Sequence, residues 1–218
     1  MAKINTLDHF VEIGQNIPSF TAKRVAITGG IACGKSALAS FLLEMGCDII
    51  DADDLVHRLE GPGGRAVTPI TAAFGRSLLA PDGSIDRSVL GPLVFGNPDK
   101  LQVLNEIIHP MVRLELDDWF RQRENPLSFA VIPLLFEAGW HEQWDYIVCV
   151  ACRGGTQLQR LCKRGLSEKA AQLRIAAQWP IEKKAAMANR VIWNDGTKEM
   201  LRREAEQLVK DLAEINYE

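Results

Sequence analysis

Residues 24–36 read RVAITGGIACGKS, and this stretch decides the fold. Its first five residues form an apolar run typical of a strand buried on both faces. Its last eight, residues 29–36, match the pattern G-x-x-x-x-G-K-[ST] of a phosphate-binding loop, or P-loop. Glycines let the backbone N–H groups of such a loop converge on phosphate oxygens, and the start of the next helix adds partial positive charge. The stretch therefore predicts a strand, a phosphate-binding loop and a helix, in that order.

The residues of this loop have separate expected roles. Lys35 is expected to reach the β- and γ-phosphates of a bound nucleotide, and the Ser36 hydroxyl to ligate Mg²⁺. The whole expected nucleotide-binding set is Gly30, Ala32, Cys33, Gly34, Lys35, Ser36 and Ala37. The chain has no N-K-x-D element for guanine specificity, and it is short for a motor or a helicase. A small-molecule kinase that uses ATP is therefore the class that the loop favours.

Four further apolar runs predict strands, over residues 47–51, 129–135, 145–150 and 190–193. Because helical patterns separate these runs, we expect an α/β fold with a five-stranded, mostly parallel sheet. Asn97 is expected to cap a helix at its N-terminus, and Pro110 to kink or break that helix. A last helix is expected over residues 197–212.

The composition excludes several classes of protein. The 218 residues are 47% hydrophobic and 24% charged, which excludes a disordered chain, a collagen-like repeat and a coiled coil. The chain has no run of 18 apolar residues and no secretory signal at its start, so we expect a cytoplasmic protein without a membrane partner. The five cysteines are scattered, as in a reducing compartment. Cys149 and Cys152 form a C-x-x-C pattern without a second pair at zinc spacing, and we expect them on opposite faces of a strand.

Two long insertions interrupt the alternation of strands and helices. Residues 55–125 separate the second and third predicted strands and contain the chain breaker GPGG at residues 61–64. Residues 153–189, with Arg190 just beyond them, carry nine lysines and arginines against two glutamates, in a chain whose net charge is −3. This cationic stretch is either a solvated face or a surface that meets phosphates. The acidic remainder of the chain argues against a nucleic-acid binder.

Three carboxylates end the second predicted strand, in the sequence IIDADD at residues 49–54. Ligands of open α/β sheets bind at the carboxyl ends of the strands. A carboxylate here could therefore accept a hydrogen bond from an acceptor hydroxyl or hold metal-bound water. Asp53 or Asp54 could instead cap the next helix. The spacing alone does not choose among the three carboxylates.

Further motifs make the chain resemble one family, dephospho-CoA kinase. The likeness spans roughly residues 25–196. Beyond the P-loop its motifs are IDAD at 50–53, PGG at 62–64, DGSIDR at 82–87, VF at 94–95, NP at 97–98, LN at 104–105, HP at 109–110, PLLFE at 133–137, QLQRL at 157–161, Arg164 and Gln178. Together these motifs are far more specific than the P-loop alone.

The resemblance implies transfer of the γ-phosphoryl group of ATP to the ribose 3′-hydroxyl of dephospho-CoA, with Mg²⁺, to give coenzyme A. The implied parts are a P-loop kinase core (residues 24–54, 126–152 and 190–218), a helical acceptor-binding domain (residues 55–125) and a helical lid (residues 153–189). Asp53 would be the catalytic base, and Arg160 and Arg164 would close over the phosphates and stabilise the transferring group. A monomer or a small homo-oligomer is expected.

The chain departs from the family at several positions. Ala32 and Cys33 replace the usual Gly-Ser, so phosphate binding depends on a loop that tolerates a Cβ at position 32. Cys33 is also a candidate activated thiol, because a helix N-terminus lowers a thiol pKa. Ala37 replaces a usual Thr, and a lost contact to the α-phosphate would cost about 1–2 kcal/mol of ATP binding. His109 either packs before its proline or lines the acceptor site. Residues 1–23 precede the usual family start.

Three alternatives stay open from the sequence. Another P-loop kinase would phosphorylate a nucleoside or a nucleotide. A nucleotide-binding regulator would bind ATP without acceptor-dependent turnover, and Asp53 would be dispensable. A nucleic-acid binder that uses the cationic stretch would show strongly salt-dependent affinity.

Overall fold

A computed structural model describes residues 23–215. Its strands are β1 (Lys23–Gly29), β2 (Asp48–Asp51), β3 (Leu127–Val131), β4 (Tyr146–Ala151) and β5 (Arg190–Trp193). They form one sheet in the order β2-β3-β1-β4-β5, and every neighbouring pair is parallel. The expected α/β fold with five strands is confirmed. The expected extension, residues 1–23, lies outside the described residues up to position 22.

Nine α-helices occur in the part of the chain that the structure describes. They are α1 (Lys35–Glu44), α2 (Ala52–Glu60), α3 (Val67–Phe74), α4 (Arg87–Phe95), α5 (Pro98–Arg121), α6 (Gly154–Lys163), α7 (Glu168–Ala176), α8 (Ile181–Met187) and α9 (Lys198–Ile215). Short 3₁₀ helices span Arg76–Leu78 and His141–Gln143. Within residues 23–215, no helix combines the length and the apolar character that crossing a membrane requires.

Two hydrophobic cores cover the sheet. Ala26 of β1 and Ala130 of β3 pack with helices of the 55–125 insertion, in a cluster that includes residues of α2 to α5. Their neighbours Val25, Ile27 and Phe129 pack in a second cluster with residues of α1 and α9. This alternation follows from the two-residue repeat of a strand, which sends successive side chains to opposite faces. Both faces are therefore apolar, which explains the continuous hydrophobic runs in the sequence.

The third strand ends earlier than its sequence indicates. It was expected to reach Leu135 but ends at Val131. The Ile132 N–H still donates to the Ile27 carbonyl oxygen at 2.8 Å, and the chain then reaches Pro133, which has no N–H to donate. The residues after β3 thus turn away at the carboxyl edge of the sheet, beside the P-loop.

Of the kink or break expected at Pro110, the break is wrong, because α5 runs without interruption across the proline. The buried stripe Ile108, Val112, Leu116 and Phe120 keeps its four-residue spacing on both sides of the proline. Packing of that stripe holds the helix together where proline removes one backbone hydrogen bond. The insertion therefore contains one 24-residue helix.

Polar side chains cap the N-termini of two helices, α5 and α2. Asn97 caps α5 as expected, with its side chain accepting from the Lys100 N–H. The cap of α2 is Asp51, not Asp53 or Asp54, and its Oδ1 accepts from the Asp53 N–H at 2.8 Å. The capping alternative for Asp53 and Asp54 is therefore wrong, and both side chains are exposed.

Candidate active site

The P-loop needs unusual backbone angles at three of its residues. Gly29 has φ +139°, and a Cβ there would lie 2.0 Å from the Val150 carbonyl oxygen. Gly34 has φ +111°, and a Cβ there would lie 2.1 Å from Asn194 Nδ2. Ala32 has φ +59°, the only positive φ at a non-glycine residue in the described part of the chain. The loop thus accepts a Cβ at position 32, at a cost of about 1–2 kcal/mol for the left-handed conformation.

Side chains from distant parts of the chain hold the loop's carbonyl groups. Gln157 Nε2, on α6, donates to the Ile31 carbonyl oxygen at 2.9 Å. Asn194 Nδ2, just after β5, donates to the Cys33 carbonyl oxygen at 2.7 Å. Both donors are buried, so these bonds fix the loop in an environment with little competing water.

Arg160 also binds the loop. Its NH1 donates to the carbonyl oxygens of Ala32 and Cys33, at 3.2 and 3.3 Å, and its NH2 donates to the Asn194 carbonyl oxygen at 2.8 Å. The fixed fork of the guanidinium suits three acceptors at once. We call Gln157, Arg160 and Asn194 the carbonyl clamp.

Several backbone N–H groups of the loop have no partner within the described part of the protein. In a peptide unit the C=O and the following N–H point in opposite directions. Carbonyls held by the clamp therefore leave N–H groups pointing away from it. Within residues 23–215, the backbone N–H groups of Ala32, Gly34, Lys35 and Ser36 have no hydrogen-bond acceptor. Such unpaired donors at a helix N-terminus form an anion-binding nest.

Lys35 lies across this nest. Its Nζ donates to the carbonyl oxygens of Gly29 and Gly30, at 3.1 and 2.9 Å. Burial lowers the pKa of its ammonium group, and the nearby charge of Lys184 acts in the same direction. An anion in the nest would relieve both effects, so the site favours phosphate chemically.

Acidic side chains lie at the same edge of the sheet. The Asp53 side chain is exposed in the first turn of α2. Burial raises the pKa of the Asp51 carboxyl group, and Lys35 opposes that rise by its charge. The charge of Asp53 also acts on the Lys35 ammonium. Lys35 and Asp53 therefore lie close enough for their charges to interact.

Among the cations of the 153–189 insertion and Arg190, some are bound or buried and others are exposed. Arg160 binds the P-loop backbone, Arg190 pairs with Asp211 of α9, and Lys184 is fully buried. Arg164 ends α6 and is exposed. Arg160 and Arg164 are expected to act as a pair over the phosphates, but their side chains differ in position. The Arg160 side chain is hydrogen-bonded to the P-loop backbone, and the Arg164 side chain is exposed.

A buried ion pair ties the end of the same insertion to the site. Lys184 Nζ lies 2.6 Å from Glu137 Oε1, which also accepts from the Trp179 N–H at 3.0 Å. The neighbouring Gln178 accepts from the Ile31 N–H of the P-loop at 2.8 Å. These contacts join the 153–189 insertion to the loop and to the turn after β3.

A cleft of about 590 Å³ runs along α5. His109 lines it and packs edge-on against Trp140, with ring centroids 4.8 Å apart. Arg113 lines it too, and its guanidinium lies 5.1 Å from the centre of the same ring. Burial and the charge of Arg113 lower the pKa of His109. His109 therefore packs against Trp140 and also lines this cleft.

Sequence reasoning missed Asn194 and Lys184. Asn194 directly follows the last strand, and a polar residue at the carboxyl end of a parallel strand is a recognisable signal. Lys184 lies among exposed cations in sequence, and nothing local distinguishes it from Lys183.

The parallel sheet, the clamped P-loop and the carboxylates at one sheet edge together define a P-loop kinase. Shikimate kinase from Acinetobacter baumannii shares the fold, with a TM-score of 0.53 and 15% identity over 89% of this chain and 94% of that one. The family model of dephospho-CoA kinase matches residues 23–199.

Individual relatives agree with that match. The dephospho-CoA kinase of Shouchella clausii is 42% identical over 180 residues, which cover 81% of this chain and 91% of the relative. The structure of dephospho-CoA kinase from Campylobacter jejuni has a TM-score of 0.68 and 28% identity, over 88% of this chain and 98% of that one. The chain belongs to the dephospho-CoA kinase family.

Proposed function

We propose that this protein transfers the γ-phosphoryl group of ATP to the ribose 3′-hydroxyl of dephospho-CoA, which gives coenzyme A and ADP. The observation that carries the proposal is the clamped P-loop with Lys35 across it and Asp53 at the same sheet edge. Membership of the dephospho-CoA kinase family supplies the acceptor.

The P-loop binds the triphosphate of ATP through its free N–H groups. When phosphate arrives, the Lys35 ammonium exchanges the carbonyls of Gly29 and Gly30 for β- and γ-phosphate oxygens. The clamp keeps the carbonyls of Ile31, Ala32 and Cys33 from turning inward, where they would repel the anion. The donors are thus in place before ATP binds, and preorganisation of this kind lowers the cost of reaching the transition state.

Asp53 orients the acceptor. Its carboxylate accepts a hydrogen bond from the 3′-hydroxyl and takes up the proton as the hydroxyl oxygen bonds to the γ-phosphorus. The bond from the γ-phosphorus to the β–γ bridging oxygen breaks, and ADP leaves. Exposure of Asp53 in the first turn of α2 supports this role, because a bulky acceptor must reach the carboxylate.

Mg²⁺ fits the residues at the P-loop. Ser36 is exposed at the start of α1, where its hydroxyl would hold the ion. Residues 23–215 contain no cluster of three or more His, Cys, Asp or Glu side chains that would hold a metal ion alone. That composition suits Mg²⁺, which keeps several waters and binds mainly to substrate phosphates. When bound, the ion neutralises charge on the β- and γ-phosphates.

The 55–125 insertion is the acceptor-binding part in this account, and the 153–189 insertion is the lid. The cleft on α5 supports the first assignment, because its lining combines aliphatic side chains with His109 and Arg113. That mixture suits a ligand with an apolar arm and phosphate groups. In the lid, exposed Arg164 is free to meet the γ-phosphate when the lid closes.

Five free thiols support a reducing compartment, and we place the enzyme in the cytoplasm.

The second candidate function is a P-loop kinase of another metabolite. ADP release measured with dephospho-CoA, adenosine, AMP and shikimate as acceptors separates the two. We expect turnover only when dephospho-CoA is the acceptor. Faster turnover with another acceptor would overturn the assignment.

A further inference from the structure

Two buried thiols meet at the P-loop. The Cys152 thiol donates a hydrogen bond to Cys33 Sγ, with 3.3 Å between the two sulfurs. Neither residue has exposed surface. Cys33 belongs to the P-loop, and Cys152 directly follows β4, so the pair joins the nucleotide-binding loop to the sheet. The two sulfurs need only about 1.3 Å of further approach to reach the length of a disulfide bond.

The two thiols differ in acidity. The hydrogen bond from Cys152 lowers the pKa of Cys33 to about 7, and the charge of Lys35 acts in the same direction against burial. The same hydrogen bond, together with burial, raises the pKa of Cys152. The sequence predicts that the helix N-terminus lowers the pKa of Cys33. In the structure the main cause of the lowered pKa is the hydrogen bond from Cys152. At neutral pH a substantial fraction of Cys33 is therefore thiolate, the nucleophilic form, and Cys152 is a protonated partner.

The three other cysteines lack this arrangement. Burial raises the pKa of Cys47 to about 12 and that of Cys149 to about 12, so both stay protonated at neutral pH. Cys162 is exposed on α6 and is a free thiol. All five cysteines lie within the described residues, and Cys33 with Cys152 is the one pair in sulfur contact.

We propose that Cys33 and Cys152 are a reversible oxidation site, which a small hydroperoxide such as hydrogen peroxide converts to a disulfide. The Cys33 thiolate attacks one peroxide oxygen, the O–O bond breaks, and a proton converts the departing hydroxide to water. Cys33 is then a sulfenic acid. Cys152 sulfur attacks the Cys33 sulfur, the S–O bond breaks, and the Cys152 proton leaves with the hydroxyl group as a second water. Two thiols lose two electrons and one peroxide gains them.

The disulfide would disturb the nucleotide site. The Cys33 carbonyl oxygen is held by Asn194 and Arg160, so drawing Cys33 toward Cys152 pulls against the carbonyl clamp. A displacement of about 1 Å in such a site is enough to lower turnover on the order of 100-fold. This effect on ATP rests on the proposed function, whereas disulfide formation does not. Because both thiols are buried, oxidation requires the loop to open, and bound ATP should slow it.

The test uses the full chain, first reduced and then treated with hydrogen peroxide. Peptide mapping by mass spectrometry without reductant detects the linked Cys33 and Cys152 peptides, and calorimetry measures ATP binding. We expect the linked peptide, weaker ATP binding after oxidation, recovery of binding with dithiothreitol, and slower linkage when ATP is present.

Two variants serve as controls. Cys152→Ala should bind ATP like the unmodified protein before oxidation, and after peroxide it should give no linked peptide, because Cys33 then lacks a partner thiol and stops at the sulfenic acid or oxidises further. Cys162→Ala should behave like the unmodified protein, which separates the internal disulfide from cross-links between molecules through the exposed thiol.

Absence of a linked Cys33–Cys152 peptide after peroxide treatment, whether or not Cys162 is oxidised, would overturn the oxidation site. A linked peptide with unchanged ATP affinity would overturn its effect on the nucleotide site. A reduced protein that binds ATP but does not phosphorylate dephospho-CoA would instead overturn the proposed function, and would leave the oxidation site intact.

Discussion

The side-chain amide of Asn194 donates a 2.7 Å hydrogen bond to the carbonyl oxygen of Cys33, a residue 161 positions earlier in the chain. The bond joins the end of β5 to the P-loop. It also makes position 34 intolerant of a side chain, because a Cβ on Gly34 would lie 2.1 Å from that amide nitrogen. The last strand of the sheet thus sets the shape of a loop that follows the first.

The first prediction concerns that contact. Gly34→Ala should weaken ATP binding on the order of 100-fold, because Asn194 must leave the Cys33 carbonyl and the loop shifts. Gly46→Ala is the matched control, since Gly46 also has positive φ (+86°) but no atom within 4 Å of the added Cβ. Calorimetric ATP titration of both variants measures the effect. Equal ATP affinities in the two variants would contradict the role of the clamp.

The second prediction concerns the left-handed residue of the loop. Ala32→Gly should raise the free energy of unfolding by about 0.5–1 kcal/mol, because relief of the left-handed conformation exceeds the entropy that glycine adds to the unfolded chain. Ala72→Gly, at an exposed position in α3, should lower it by about 1 kcal/mol. Urea unfolding measures both changes. A loss of stability in Ala32→Gly would mean that the loop holds Ala32 without strain.

The third prediction separates two arginines that are four residues apart. Arg160→Ala removes the three hydrogen bonds that the guanidinium donates to carbonyl oxygens. It should lower the free energy of unfolding by about 2 kcal/mol and also weaken ATP binding. Arg164→Ala should keep stability within about 0.5 kcal/mol, since its side chain is exposed.

Kinetics complete that comparison. Arg164→Ala should lower kcat on the order of 100-fold with little change in the KM for ATP, because the lid arginine acts on the transferring group. Arg160→Ala should raise that KM as well. Thermal unfolding without nucleotide and steady-state assays distinguish the two patterns. Identical patterns for both variants would show that the arginines act together.

The fourth prediction concerns the contribution of Asp51 to the pH dependence of the free energy of unfolding. Burial raises its pKa above the unfolded value of about 3.9, so the folded state binds this proton more tightly. The stabilisation by this bound proton is fully present at low pH. It is lost as the pH rises through the pKa of the unfolded state and then through the higher pKa of the folded state. Asp51→Asn keeps an acceptor for the Asp53 N–H and should flatten this part of the profile. Urea unfolding between about pH 3 and pH 8 measures it, with exposed Asp54→Asn as the control. An unchanged slope in Asp51→Asn would refute the assignment.

Local sequence was enough to predict the fold class and the position of the P-loop. The P-loop and the strand before it are continuous in sequence, so their spacing carries the geometry of β1, the loop and α1. The carboxylates after β2 stood out because they follow a strand whose carboxyl end lies at the ligand edge of the sheet, whereas the choice of Asp53 among them came from the family resemblance. These features depend on neighbours a few residues away.

Contacts between distant segments could not be predicted in the same way. Nothing near Arg160 indicates that it binds loop carbonyls, because that position depends on how α6 packs against the P-loop. The stripe of α5 overrides Pro110, although proline alone predicts a break. Cys152 meets Cys33 only because β4 lies beside β1 in the sheet.

The most direct test of the central claim is mass spectrometry of the product formed from ATP, Mg²⁺ and dephospho-CoA. We expect coenzyme A from the unmodified protein and from Asp54→Asn, and loss of most turnover in Lys35→Ala and Asp53→Asn while both variants stay folded. A folded protein that binds ATP but forms no coenzyme A would contradict the account, and a full rate in Asp53→Asn would remove Asp53 as the base.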